Sequence, residues 1–354
     1  MSKEKMLGFK LLGSEKSKMV EVEKPGTAPG EVLVKVNSLA LCGSCINLRY
    51  RPTVAESRER VLELGIDLDP DSIPGHEMTG VIVDANNSRT LRNGDRVFIF
   101  PFIPNVNSIF YKDKLYKYST PLKIVGYTID GGNTEFLSVP EANCYVLPDY
   151  VTFEQGAMLL DPLGAPFGAL SKLNANYLDT VLILGTGPIG LGATVICDFI
   201  GVKKIIAVDI MKDRVELSRD LGAEDILNMD QMDIHDNILE LTNGRGPDIV
   251  LDCIGDKSSF NQSIKLVKPG GRVGVIGEPG IISNVSVSDI IIHKDILMKG
   301  SWVYDPEKLN DLYELIKNGL KIEKIITHKF NLNESEKAWK VFNTNTTGKV
   351  IINP

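Results

Sequence analysis

The segment Val181-Leu182-Ile183-Leu184-Gly185-Thr186-Gly187-Pro188-Ile189-Gly190 restricts the fold of this chain more than any other stretch. A run of aliphatic residues feeds a G-x-G-x-x-G turn. The pattern then predicts a helix over 191–200 and a second buried strand over 204–209 ending in an acid, Asp209. The three glycines serve different physical ends. Gly185 permits a tight turn, Gly187 lets the backbone approach a pyrophosphate, and Gly190 lets helix and strand pack closely. The start of that helix offers free N–H groups and a partial positive charge to phosphates. Asp209 lies nineteen residues past Gly190. There a carboxylate accepts hydrogen bonds from a ribose 2′-hydroxyl and repels a 2′-phosphate, which favours NAD over NADP. The competing reading is a glycine-rich turn in an unrelated α/β domain. The ordered set of strand, glycines, helix, strand and acid argues against it.

At 354 residues the chain exceeds one typical domain. Alternation over 31–36, 80–83 and 95–99, punctuated by Pro and Gly, predicts a β-rich unit over 1–155. Strand and helix then alternate, with further strands predicted over 248–253 and 272–276 and a helix over 258–266 between them. This is the pattern of a doubly wound parallel sheet, assigned to 156–298. The tail, 299–354, carries a predicted helix over 305–318 and a closing strand over 349–352. It is too short to fold alone and is expected to rejoin the first unit. A net charge of −7 with no basic run disfavours nucleic acid. The most apolar region, 181–208, is broken by glycines and charges, so no membrane span is expected. Met1-Ser2-Lys3-Glu4-Lys5 has no apolar core behind its charges, and the five cysteines then read as free thiols of a cytoplasmic protein.

Upstream of the glycine turn, Cys42, His76, Glu77 and Asp161 are candidate metal ligands. A thiolate, an imidazole and a carboxylate around Zn²⁺ leave a position open for substrate. Taken singly, each has a plain structural alternative: a small buried hydrophobe, a satisfied core histidine, a turn acid before proline. A capping-box pattern, Thr53-Val54-Ala55-Glu56, opens a helix that Gly65 would end, in a segment crowded by Arg49, Arg51, Arg58 and Arg60. These arginines read either as a lid steering an anionic substrate or as a solvated helix supported by a Glu56–Arg60 pair.

The motifs C-G-S, G-H-E, N-G-D-R-V, D-G-G, D-P-L-G, G-T-G-P-I-G, K-P-G-G-R-V and I-T-H-K-F follow one another along nearly the whole chain. In this order the chain resembles medium-chain zinc-type dehydrogenases of the sorbitol, butanediol and threonine dehydrogenase branches. The resemblance implies a GroES-like catalytic domain made from both chain ends, a Rossmann domain between them, and an active site in the cleft. It makes Cys42, His76, Glu77 and Asp161 the sphere of one catalytic zinc, with Glu77 or Asp161 exchanging with water. It sets Ile189, Asp209 and Arg214 against NAD, and the backbone of Ile276-Gly277 and Ser301-Trp302-Val303 near the nicotinamide. Ser44 becomes the proton acceptor.

Several departures qualify the resemblance. Cys45 stands where the family carries an aspartate that orients the zinc-bound histidine, although Cys42-x-x-Cys45 also has ligand spacing. Asn47, which cannot titrate, replaces a proton-relaying histidine. Residues 101–130 contain no cysteine, so a structural thiolate zinc cannot form there. That lobe is rich in Tyr, Lys and Ile and is expected to pack against a neighbouring subunit. Val303 and Leu48 replace an arginine and an aromatic of sorbitol dehydrogenases. The expectation is a zinc- and NAD-dependent oxidoreductase, a homodimer or homotetramer, that interconverts a secondary alcohol (polyol, sugar, cyclitol or sugar phosphate) and a ketone. Two alternatives stay open: a zinc-independent reductase of enones or quinones, and a non-catalytic NAD-binding protein.

Overall fold

The computed structural model describes residues 4–63, 65–229, 234–278 and 285–354. Met1-Ser2-Lys3, on which the reading of the N-terminus partly falls, lies outside them. The fold is α/β, with a parallel sheet and a separate, mainly antiparallel one.

The parallel sheet runs, in hydrogen-bonding order, Asp225–Asn228, Lys204–Asp209, Thr180–Leu184, Ile249–Asp252, Arg272–Val275 and Leu297–Gly300. Numbered along this part of the chain the order is 3-2-1-4-5-6, the doubly wound arrangement, and it reverses beside Thr180–Leu184. Strands buried on both faces explain the unbroken aliphatic runs that the sequence shows. Val181, Ile183, Ala207 and Leu251 point into one core, while Leu182, Leu184, Val208 and Val250 point into the other. The first of these cores is continuous with that of the antiparallel sheet, so the two units share one apolar interior.

That second sheet has the order Ile326–Asn331, Lys349–Asn353, Glu31–Ala40, Glu77–Asp84, Arg96–Ile99, Cys144–Val146, with Phe136–Pro140 also paired to Glu31–Ala40. Its closing strand is the end of the chain. Ile351 pairs with Ala40, and Ala40 pairs on its other side with Glu77. The C-terminus is thereby fastened two strands from a candidate ligand. Val350, Ile351 and Ile352 are fully buried, and burying each such side chain contributes roughly 1.5–3 kcal/mol.

The helix after the glycine turn spans Pro188–Ile200 and so begins three residues before the predicted 191. Proline tolerates the first helical position because its absent N–H would have no partner there anyway. The predicted helix over 305–318 is a short 3-10 turn, Pro306–Lys308, followed by Leu309–Lys317. Among the described residues no helix is long and apolar enough to cross a membrane.

Two glycines set how closely the elements meet. A Cβ on Gly190 would lie 1.9 Å from the carbonyl oxygen of Gly185, itself at φ +88°. A Cβ on Gly192 would lie 1.6 Å from the carbonyl of Pro162, the residue after Asp161. The helix that begins at the dinucleotide turn is thus pressed directly against the loop of a candidate metal ligand. Gly192→Ala is therefore expected to lower stability by about 3 kcal/mol, since backbone must move to admit the methyl group. Urea denaturation measures this, and an unchanged midpoint would contradict the close approach.

Candidate active site

Three local structures bring the candidate ligands together. Cys42 lies just beyond the strand Glu31–Ala40 and precedes the short helix Gly43–Cys45. His76 and Glu77 follow Gly75, whose φ of +105° turns the chain into the strand Glu77–Asp84. Asp161 sits between the helices Phe153–Ala157 and Gly164–Lys172. Ligand atoms of Cys42, His76, Glu77 and Asp161 all lie within 4.8 Å of one another. Cys42 Sγ is 3.0 Å from Asp161 Oδ2, which is 3.2 Å from His76 Nε2.

The electrostatics fit a cation. Burial, with Asp161 and Glu77 beside it, pushes the Cys42 thiol up to about 12. Burial pushes the Glu77 carboxyl up to about 7, although Lys349 opposes it. Burial also resists ionisation of Asp161, but the hydrogen bond and charge of His76 outweigh it and hold that carboxyl at about 2. Glu77 Oε2 is buried with no hydrogen-bond partner. A sulfur, a ring nitrogen and two carboxylates converging in the interior form a zinc donor set, and a coordinated thiol gives up its proton outright. Cys42, His76, Asp161 and Glu77 are the residues that would hold the ion.

Beside this cluster, Ser44 Oγ donates to Cys42 Sγ at 3.1 Å and accepts from the Tyr127 hydroxyl at 2.9 Å. Cys45 Sγ lies 3.5 Å from His76 Nδ1, on the ring edge away from Asp161 and Cys42. This position argues against the alternative in which Cys45 is a ligand, since its sulfur faces the ring nitrogen opposite the one turned to Asp161. Asn47 turns its side-chain oxygen to Arg51 at 3.3 Å.

The capped helix exists as Val54–Glu63, with Glu56 accepting from Thr53 N and Oγ1, each at 2.8 Å. The arginines do not form a free anion-binding group. Arg49 is buried and donates to the carbonyls of Gly126 at 2.5 Å and Ser72 at 2.8 Å. Arg51 is held by Asn343 and Arg60 by the Asn47 carbonyl. Arg51, Arg58 and Arg60 are all exposed.

At the glycine turn, Asp209 Oδ2 accepts from Thr186 N at 2.6 Å and Thr186 Oγ1 at 3.1 Å, while Oδ1 accepts from Met211 N at 2.9 Å. The carboxylate is buried and fixed at the strand end, with acceptor capacity remaining on Oδ1. The first intrahelical bond runs from Leu191 N to the Gly187 carbonyl, so the Ile189 and Gly190 N–H groups precede the helical ladder. Arg214 donates from Nε to the Thr347 carbonyl at 2.8 Å, and one of its terminal nitrogens lies 3.6 Å from where a Gly187 Cβ would stand.

The segments expected near a nicotinamide are also adjacent, since Ser301 N donates to the Val275 carbonyl, one residue before Ile276. Both the Ile276 and Gly277 N–H groups are spent on the Asp252 carbonyl, and the Trp302 carbonyl accepts from Lys117 Nζ at 3.3 Å. Val303 is buried at φ +46°, an unfavourable conformation for a β-branched residue. Such strain persists only where surrounding structure enforces it.

Two site residues escaped sequence reasoning. Lys349 is fully buried and pairs with Glu77 Oε1 at 2.7 Å. Its sequence setting, the start of an apolar strand, resembles an ordinary solvated strand end. Tyr127 lies three residues before the first residue of the D-G-G motif, and nothing in the spacing directs its hydroxyl to Ser44.

Comparison with known proteins accords with this geometry. Residues 28–149 match the model for the alcohol dehydrogenase GroES-like domain, and residues 188–318 match that for zinc-binding dehydrogenases. The L-threonine 3-dehydrogenase of Shewanella woodyi is 29% identical over 339 residues, covering 95% of each chain. Among solved structures, the alcohol dehydrogenase of Thermus sp. ATN1 superposes with a TM-score of 0.88 at 25% identity, covering 99% of this chain and 100% of the other. An alcohol dehydrogenase from Escherichia coli CFT073, solved with NADH, gives 0.86 at 25% identity and 99% coverage of both.

Removing the buried cation gives a direct test of the Glu77 environment. Lys349→Met strands a carboxylate in the interior and is expected to cost about 3–5 kcal/mol of folding stability. Adding Glu77→Gln to it is expected to restore much of that loss. Equal denaturation midpoints for Lys349→Met and the unsubstituted chain would refute the pairing.

Proposed function

Since this chain belongs to the zinc-dependent medium-chain dehydrogenase superfamily, we propose that it uses one zinc ion and NAD to interconvert a secondary alcohol and a ketone. The observation that carries this reading is the buried meeting of Cys42, His76, Glu77 and Asp161 ligand atoms within 4.8 Å. When bound, the metal supplies Lewis acidity toward the alcohol oxygen and the dinucleotide supplies the hydride acceptor.

The chain's own residues do the rest. Ser44 is held beside Cys42, where an alcohol docked at the open metal position would lie. The Ser44 oxygen has two acceptor sites; Tyr127 fills one, and the other can accept a hydrogen bond from the substrate hydroxyl, whose proton would move on as Ser44 gives up its own to the ribose hydroxyl and then to water. Asn47 faces Arg51 and cannot titrate, so the proton does not leave through it. The Asp209 carboxylate supports selection of NAD, because a 2′-phosphate beside it would place two anions together. The substrate class is a polyol, sugar, cyclitol or sugar phosphate.

The test is a panel of secondary alcohols followed by NADH absorbance, with zinc analysis of the same preparation. About one zinc per chain is expected, with turnover lost on chelation. Cys42→Ala and His76→Ala should abolish turnover while NAD binding survives. Full turnover in zinc-free protein would overturn the scheme in favour of a zinc-independent reductase. Separately, Asp209→Asn is expected to raise the ratio of kcat/KM for NADP over NAD by at least about tenfold, or 1.4 kcal/mol. An unchanged ratio would remove Asp209 from cofactor selection.

A further inference from the structure

The polar contacts behind the metal cluster form one directed chain. A histidine that binds a metal through Nε2 carries its proton on Nδ1, and that N–H needs an acceptor to fix the ring and its tautomer. The group facing Nδ1 of His76 is the Cys45 sulfur, at 3.5 Å and almost wholly buried. The Cys45 thiol in turn donates to the Tyr127 hydroxyl oxygen at 3.6 Å. Tyr127 donates to Ser44 Oγ at 2.9 Å, and Ser44 donates to Cys42 Sγ at 3.1 Å. Every donor in the series has an acceptor ahead of it, and the series begins at one candidate ligand and ends at another.

The chain is also anchored. The Tyr127 ring lies against the His76 ring, with centroids 5.3 Å apart and planes tilted by 34°. The backbone beside it is clamped, because buried Arg49 donates to the Gly126 carbonyl and to the Ser72 carbonyl across from it. The ring of His76 therefore has little freedom to swing away from the cluster. The hydroxyl of Ser44 is set by the same series.

We infer that Cys45 and Tyr127 are positioning residues: together they brace His76 through Nδ1 and Ser44 through its oxygen, with a sulfur acting as the outer hydrogen-bond acceptor of a metal-binding histidine. Neither touches the ion or substrate; both act through residues that do. The inference rests on the metal assignment proposed above, and it explains why a small polarisable thiol suffices behind His76. A thiol both accepts and donates, so it passes the hydrogen-bond direction on to Tyr127, which a carboxylate, as acceptor only, would not do.

The experiment is zinc affinity of the full chain by competition with a chromophoric chelator, made on the unsubstituted protein, Cys45→Ala, Cys45→Ser and Tyr127→Phe. Loss of an outer partner of a ligating histidine typically weakens metal binding about 10–100-fold. Cys45→Ala is expected to fall in that range and Cys45→Ser to regain most of the loss. Cobalt-substituted Cys45→Ala should also show shifted visible ligand-field bands, which a loss of packing alone would not produce. Should Cys45→Ala fail to fold, Tyr127→Phe carries the test, because it removes one oxygen and no apolar volume. It is expected to weaken zinc at least threefold. A chain that binds zinc yet holds it equally well after Cys45→Ala, or after Tyr127→Phe where only that variant folds, overturns the brace and leaves the metal assignment standing. No zinc binding by the unsubstituted chain overturns both.

Discussion

A carboxylate shut away from water has to be met by positive charge, and the interior around Glu77 and Asp161 is organised by that requirement. Glu77 is met on one oxygen by Lys349, from the last strand of the chain, while its other oxygen has no partner. Asp161 is met by His76 and by the Cys42 thiol. The C-terminal return is therefore more than a closing strand. Its register against Ala40, which also pairs with Glu77, carries the lysine that pairs with that carboxylate. The ligand atoms of Glu77 and Asp161 converge beside a thiol and an imidazole within 4.8 Å of one another, where a divalent cation would meet the remaining negative charge.

The same economy of space joins the metal cluster to the dinucleotide turn. Gly192 presses the helix Pro188–Ile200 onto the carbonyl of Pro162, one residue from Asp161. A phosphate held at that helix start and an ion held by Asp161 would then be fixed by parts of one packed unit. At the other edge of the parallel sheet, Ser301 hydrogen-bonds to the strand that leads into Ile276, and the strained backbone of Val303 follows. Orientation of two reactants depends on such fixed relations between their binding elements, and misplacement by about 1 Å is costly.

How much of this is legible in the sequence depends on the range of the signal. Local signals read well: the aliphatic run into G-x-G-x-x-G and the capping box at Thr53 and Glu56 each arise within a few residues, and Asp209 ends the next strand nineteen residues past Gly190. The four candidate ligands are legible through motif order, although no periodicity relates position 42 to 76 or 161. Contacts made by side chains from remote strands are not. Lys349 pairs with a residue 272 positions away, and Tyr127 with one 83 away. Of the arginines at 49, 51, 58 and 60, the last three are exposed, as a solvated surface helix predicts, whereas Arg49 has buried carbonyls within reach and is consumed by them.

Anomalous diffraction at the zinc edge, from crystals of the zinc-loaded chain, tests the central claim most directly. The account predicts one peak about 2.0–2.3 Å from Cys42 Sγ and His76 Nε2, with a carboxylate oxygen of Asp161 or Glu77 completing the protein ligands. A zinc-loaded crystal with no peak there, or with its peak bound through Cys45 or by surface histidines, would contradict it.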